Sequence, residues 1–275
     1  MKKQFLFLAM CIVTILSANA QTSVWDGSHT TWTNGNGTQA NPYLIENAAQ
    51  LAHLAYIVNN GIGAGNGRIV GSNTYWKLMT NIDLNSRQWM PIGYYNSATD
   101  YYIFGGNFDG NNYTIANLYI NSSTLQRVGL FGYTSSSSIK NVGVISGSIT
   151  ASLYAVYAAG IVGYTDNTVI DNCYNKINIS SCGYSGGIVG RTNFAISNCY
   201  NTGSIYSFSP SSYYYYGASS YYYSGGIAGY STSTINNCYN TGSISSSSSQ
   251  AYYITYSYCG GIAGYSTSQL TIVII

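Results

Sequence analysis

Seven carboxylates, Asp26, Glu46, Asp83, Asp100, Asp109, Asp166 and Asp171, are the groups in this chain that could act as general acid, base or nucleophile. Such chemistry needs two groups facing one another across a cleft, and sugar-cleaving pairs need a set separation. Asp166 and Asp171, with Lys176 just beyond and Arg191 further on, form the one constellation worth naming; the other acids are scattered. Exposed turn charges account for it more simply. His29 and His53 are the only histidines, and no HExxH is present, so a zinc peptidase has no ligands. There is no CxxC pair or His-Cys cluster for structural zinc. Gly105 to Asn112, GGNFDGNN, is similar to a calcium-binding glycine repeat, but it occurs once with a single Asp, and a plain turn explains it. The expectation is a chain that is not an enzyme and needs no metal or cofactor.

The elements that would position any site are set by a repeat. Its first half reads VGLFGY from Val128, AGIVGY from Ala159, GGIVGR from Gly186 and GGIAGY from Gly225 and again from Gly260. Its second half reads IKNVGVISGSI from Ile139, IDNCYNKINI from Ile170, ISNCYNTGSI from Ile196 and INNCYNTGSI from Ile235. The closing glycines Gly132, Gly163, Gly190, Gly229 and Gly264 are 31, 27, 39 and 35 residues apart, periods that signal a solenoid whose units bury apolar faces against neighbours. Gly, Ser, Thr, Asn and Tyr are poor helix formers, and the apolar runs are short and bounded by turn residues, as strands are. Ile170 and Cys173 would face opposite sides of a straight strand, so a bend at Asn172 is predicted, where Asn tolerates left-handed backbone. Stacked coils then put Asn172, Asn198 and Asn237 in one column and Cys173, Cys199 and Cys238 in another. This is the pattern of an all-β parallel β-helix.

GGIAGY followed by INNCYNTGSI resembles the GLUG repeat of secreted and surface-attached bacterial proteins, also found in the non-catalytic part of some immunoglobulin A peptidases. The resemblance covers roughly residues 128 to 265. NPYLI, LAHLAYIVN, NIDL, WMPIG and FDGNNYTI between residues 41 and 120 resemble the leader that often precedes such repeats. It implies a right-handed β-helix at the cell exterior, with adhesion or glycan contact, and supplies no catalytic residues to carry over.

Composition agrees with export. Met1 to Ala20 has a basic start at Lys2 and Lys3, an apolar core from Phe5 to Leu16 and the small-residue cleavage site Ala18-Asn19-Ala20, the form of a secretory signal peptide. Only 6% of residues are charged, so nucleic acid is not an expected partner, and no membrane span is expected after signal cleavage. Five cysteines remain, Cys173, Cys182, Cys199, Cys238 and Cys259, read as buried thiols in preference to disulfides. The predicted organisation is a signal peptide over 1-20, an N-terminal cap with entry strands over 21-100, and the repeats over 101-275. Asn47 and Gln50 can cap a helix whose Leu51, Leu54, Ala55 and Val58 form one stripe and which Gly61 ends. That helix is expected to cover the open end of the solenoid. Tyr75 to Leu84 reads as a strand. After Tyr265, Leu270 stands where the repeat has Ile, but TIVII follows where NNCYN should, as in a chain that stops inside a unit.

Repeat lengths vary only between the closing Ile of one unit and the Gly pair of the next, over Thr150 to Ala159, Ser180 to Ser185, Tyr206 to Ser224 and Ser245 to Cys259. Such inserts are predicted to project as loops from one corner. The longest carries Tyr213, Tyr214, Tyr215, Tyr216, Tyr221, Tyr222 and Tyr223, and the next carries Tyr252, Tyr253, Tyr256 and Tyr258. Tyr presents a flat apolar face and a hydroxyl, so these are the candidate binding residues for a glycan or for a protein on a host or neighbouring cell. The competing account is strand arms packed on one another. Tyr133, Tyr164, Tyr230 and Tyr265, with Arg191 as the exception, share one repeat position and read as structural stacking. A secreted or cell-surface binding module is the expectation, with a structural stalk or a polysaccharide lyase or hydrolase as the alternatives.

Overall fold

Short β-branched runs punctuated by Asn and Gly make a chain that turns every few residues, and one coil shows how. Val162–Asp166, Val169–Asp171, Tyr174–Asn175 and Asn178–Gly186 are successive strands. Asn167 and Asn172 form the first two corners with φ of 51° each, left-handed backbone that Asn accepts more readily than other residues with a Cβ. In the computed structural model, which describes residues 22–64, 68–208, 220–247, 255–268 and 270–272, this plan repeats from end to end. Each strand pairs in parallel with its counterpart one coil away. The result is the parallel β-helix expected from the repeat, built of four sheets. The second and third merge because Ile235–Asn240 pairs in both. Tyr94–Ser97 lies antiparallel to Asp100–Phe104, the exception among the described strand pairs.

The core is a set of columns. Trp76, Phe108, Ile139, Ile170, Ile196, Ile235 and Leu270 lie in register along the second sheet. Phe131, Val162, Val189, Ala228 and Ala263 do so along the first, and Ile149, Ile179, Ile205 and Ile244 along the fourth. On the third sheet Ile82, Ile115 and Val144 give way to Asn175, Asn201 and Asn240. These amides point inward and satisfy one another: Asn175 Nδ2 donates to Asn201 Oδ1 and Asn201 Nδ2 to Asn240 Oδ1, each at 2.7 Å. A buried polar column is tolerated because its partners are built in.

The stack begins at Thr22, which pairs with Asn81, and Tyr43, which pairs with Trp76. Tyr75 to Leu84 is two strands, Tyr75–Leu78 and Asn81–Asp83, on the second and third sheets; a coil corner interrupts the alternation that reads as one strand. Helix α1, Ala48–Asn59, starts at Asn47, whose side chain accepts from Gln50 N at 2.9 Å, while Gln50 Oε1 accepts from Glu46 N at 2.7 Å. Its Leu51, Leu54 and Val58 are fully buried, and it packs against the edge strands Tyr43–Ile45 and Ile69–Val70 and against Asp100–Phe104, the strand next to Ile69–Val70.

Candidate functional site

The corner between the fourth and first sheets gathers the aromatic residues. A fourth-sheet strand carries an outward tyrosine two residues before its end, the chain turns through the corner, and the third residue of the next first-sheet strand is another outward side chain. The corner is tight: a Cβ on Gly186 or Gly225 would run into the carbonyl of Val189 or Ala228. The outward residues on either side of it therefore become neighbours. Tyr157 and Tyr164 have ring centroids 5.2 Å apart, and Tyr223 and Tyr230 are 5.8 Å apart.

Coil on coil, this makes two adjacent columns. Arg127, Tyr157, Tyr184, Tyr223 and Tyr258 are in register on the fourth sheet. Tyr133, Tyr164, Arg191, Tyr230 and Tyr265 are in register on the first. Ring centroids along the fourth-sheet column are 5.0, 5.1 and 5.2 Å apart, and Tyr230 stacks on Tyr265 at 4.8 Å. Eight tyrosines and two arginines thus form a strip two residues wide over five coils. Tyr221 and Tyr256, stacked at 5.3 Å, extend it sideways at its C-terminal end. Exposure is uneven: Tyr223 is 9% exposed, whereas Tyr258 and Tyr265 at the C-terminal end of the strip are 42% and 39% exposed.

The two arginines lie among rings and form no ion pair among the described residues. Arg127 Cζ is 3.7 Å from the centroid of Tyr133 and 4.2 Å from those of Tyr95 and Tyr164, a stack of cation–π contacts. Its Nε and Nη1 are buried with no hydrogen-bond partner. Arg191 Cζ lies 5.2 Å from Tyr230, 5.5 Å from Tyr164 and 6.0 Å from Tyr157. Burial raises the hydroxyl pKa of Tyr133 and Tyr223, and burial together with its tyrosine neighbours pushes Tyr184 up to about 12. These three hydroxyls therefore stay neutral, able to donate and accept, through the physiological range.

The sequence-predicted residues divide. Tyr221, Tyr223, Tyr256 and Tyr258 lie in paired strands, Ser220–Gly225 and Thr255–Gly260, where loops were predicted. Tyr222 is a correction: strand alternation turns it inward, it is 2% exposed, and it is no contact residue. Tyr213, Tyr214, Tyr215, Tyr216, Tyr252 and Tyr253 lie outside the described residues. Asn172, Asn198 and Asn237 take left-handed φ of 51°, 56° and 52°, and Asn141 (55°) and Asn112 (63°) share that conformation. The amide bonds pass from Asn237 to Asn198, 2.5 Å, and from Asn172 to Asn141, 2.8 Å, but Asn198 turns instead to Asp171 Oδ1 at 2.7 Å. Cys173, Cys199 and Cys238 are buried; Cys173 N donates to Cys199 Sγ and Cys199 N to Cys238 Sγ. The Asp166, Asp171, Lys176 and Arg191 constellation is dispersed: Asp166 and Arg191 are on the first sheet, Asp171 is on the second, and Lys176 follows the third. Asp166 is taken by the Asn193 amide and Asp171 by Asn198.

The sequence reading missed Arg127, Tyr157 and Tyr184. Their signal is a fixed distance: Tyr157, Tyr184, Tyr223 and Tyr258 each stand seven residues before the residue that closes the first half of the repeat. The third sheet has a column of its own, Tyr174, Tyr200 and Tyr239, whose rings are parallel at 4.8 and 5.0 Å.

The family model described as "The GLUG motif" matches residues 181–206 and 220–245, which hold Tyr184, Arg191, Tyr223 and Tyr230 of the strip. A "Putative Gly-rich membrane protein" of Evansella cellulosilytica is 30% identical over 175 residues, 61% of this chain and 18% of that protein. Halomucin of Haloquadratum walsbyi is 29% identical over 168 residues, 58% of this chain and 2% of that protein. The chain therefore spans a small part of the length of these relatives. Among solved structures, the crystal structure of a "putative immunoglobulin A1 protease" from Bacteroides ovatus aligns over 88% of this chain and 80% of that one, with a TM-score of 0.48 and 20% identity.

Proposed function

We propose that this repeat protein is a β-helical binding module of a secreted or surface-attached protein, and that the tyrosine and arginine strip is its contact face for a glycan. The observation that carries this reading is the strip itself: identical flat rings with hydroxyl edges, repeated at coil spacing along one face. Exposed aromatic patches of that extent mark contact surfaces more often than not, and ring faces suit the apolar faces of sugars. A repeated surface favours a repeated ligand, because each register shift by one coil presents equivalent contacts.

The names of the two relatives, a membrane protein and a halomucin, support a cell-surface or secreted setting. No helix among the described residues is long and apolar enough to cross a membrane. Dispersal of the only candidate acid constellation over separate sheets supports a role without catalysis. A structural stalk is the second reading. It is favoured by Tyr223, which stacking leaves 9% exposed, and by the small share of the relatives that this chain spans.

Glycan-array and gel-retardation binding of the purified chain tests the proposal. Binding to at least one polysaccharide that drops about tenfold or more in a Tyr258→Ala, Tyr265→Ala double variant is expected, since an aromatic contact at an interface is worth about 1–2 kcal/mol each. Unchanged binding in that variant, or none by the parent, leaves the stalk. Release of reducing sugar or unsaturated product would move the chain to the enzymes.

A further inference from the structure

Two guanidinium groups converge on one tyrosine ring. Arg127 and Arg191 belong to different sheets and different coils, yet the Tyr164 centroid lies 4.2 Å from the first and 5.5 Å from the second. The two cations stand on neighbouring coils to either side of Tyr164, and charges held half-buried with no carboxylate partner among the described residues cost free energy that ring faces offset only in part. The nearby carboxylate, Asp166, lies two residues along the strand from Tyr164 and is engaged by Asn193. Arg127 also keeps two donors, Nε and Nη1, without an acceptor. A third arginine makes the contrast: Arg68 lies over Tyr101 at 4.9 Å, but it hydrogen-bonds the Tyr101 carbonyl and feels the Asp100 charge. Arg191 occupies a position that is Tyr in the other four coils, so a stacking residue would have fitted there.

We infer that the strip takes a linear acidic polysaccharide bearing carboxylates on its sugar rings, laid along the helix axis with sugars on the tyrosine columns and an acid group at the Arg127–Arg191 pair. This deepens the glycan reading above and rests on it. The charge complementarity is local: the two cations lie within one aromatic strip, and the chain as a whole carries almost no net charge beyond its leader. A carboxylate gives Arg191, half-buried where the neighbouring coils carry Tyr and without an ion pair among the described residues, a charged acceptor, and partial burial makes such a charge-assisted bond stronger than in open water.

Polygalacturonate and its fully methyl-esterified form share a backbone and differ in charge, so they are the probes, with polyglutamate as a non-sugar polyanion. The parent chain is expected to bind polygalacturonate at least tenfold more tightly than the ester, and to lose that margin as salt is raised. Arg191→Tyr is the informative variant, because it restores the residue of the neighbouring coils and should fold. It is expected to weaken polygalacturonate binding about tenfold, the scale of one charge-assisted contact, while leaving the ester unchanged. Equal binding of acid and ester overturns the charge assignment alone and leaves the glycan strip standing. Full affinity of Arg191→Tyr for polygalacturonate overturns it too, as does equal binding of polyglutamate. Binding to neither sugar polymer overturns the acidic-polysaccharide assignment, while the glycan array decides the strip itself.

Discussion

The second glycine of the repeat and its last asparagine form a steric pair. A Cβ on Gly160, Gly187 or Gly226 would strike the side chain of Asn175, Asn201 or Asn240 respectively. None of the three glycines has positive φ, so space and not backbone freedom requires Gly there. Asn201 in turn bonds Asn175, Asn240, and both the N–H and the carbonyl of Gly203. Gly187→Ala is expected to destabilise the fold by about 3 kcal/mol, the upper range for overpacking a tight site, read as a lower urea midpoint by circular dichroism. Gly261 holds the same repeat position, but a Cβ there meets nothing within 4 Å, so Gly261→Ala should melt with the parent. Equal midpoints for both variants would show that the asparagine gives way and that the pair does not constrain the motif. Both residues were visible in the sequence as repeated letters, but their contact was not. They stand fourteen or fifteen positions apart, the glycine in a corner and the asparagine on the third sheet, and no local period says which parts of a coil meet.

Helix α1 was legible from its cap and apolar stripe because both signals are local. What holds it to the chain before it was not. His29 stacks on Tyr56 at 4.0 Å, and its Nδ1 lies 3.4 Å from Nδ1 of His53, which projects from α1 toward Trp32. That bond requires one ring to donate and the other to accept, so a doubly protonated pair breaks it. Burial, and then the nearby His29, lower the pKa of His53 below its ordinary value. A group with a depressed folded pKa contributes stability above its unfolded pKa, about 6.5 for His, that is lost as pH falls. The cap should therefore loosen from about pH 6.5 downward. The midpoint of thermal unfolding is expected to fall between pH 7.5 and 5, and His29→Gln should flatten that fall. A slope identical in parent and variant would mean that the histidine pair is a bystander. The same locality explains the misread segment Tyr75 to Leu84, where alternation continues across a corner that carries neither Gly nor Pro.

At the scale of the molecule the two ends differ. One is covered by α1, with Leu51, Leu54 and Val58 fully buried; at the other, Ala263 and Leu270 are only partly buried. The period and stacking of the coils were readable in the sequence because every unit repeats the same inward residues. The tyrosine strip was readable only in part, since its second column requires knowing that the glycine pair turns a corner. A stack held by nearest-neighbour contacts opens from its weaker end, and the cysteines report how far. Cys259 is exposed in the last described coil, while Cys238, Cys199 and Cys173 lie buried at successive distances from it. Burial pushes the Cys199 thiol well up, so it reacts as a thiolate only after its coil opens. Pulse labelling of the native chain with a maleimide, read by peptide mass spectrometry, should modify Cys259 first, then Cys238, then Cys199, with Cys173 last. Gly226→Ala, placed to weaken the C-terminal coils, should speed Cys238 far more than Cys173. Simultaneous labelling of Cys238, Cys199 and Cys173 would instead make the described coils one cooperative unit.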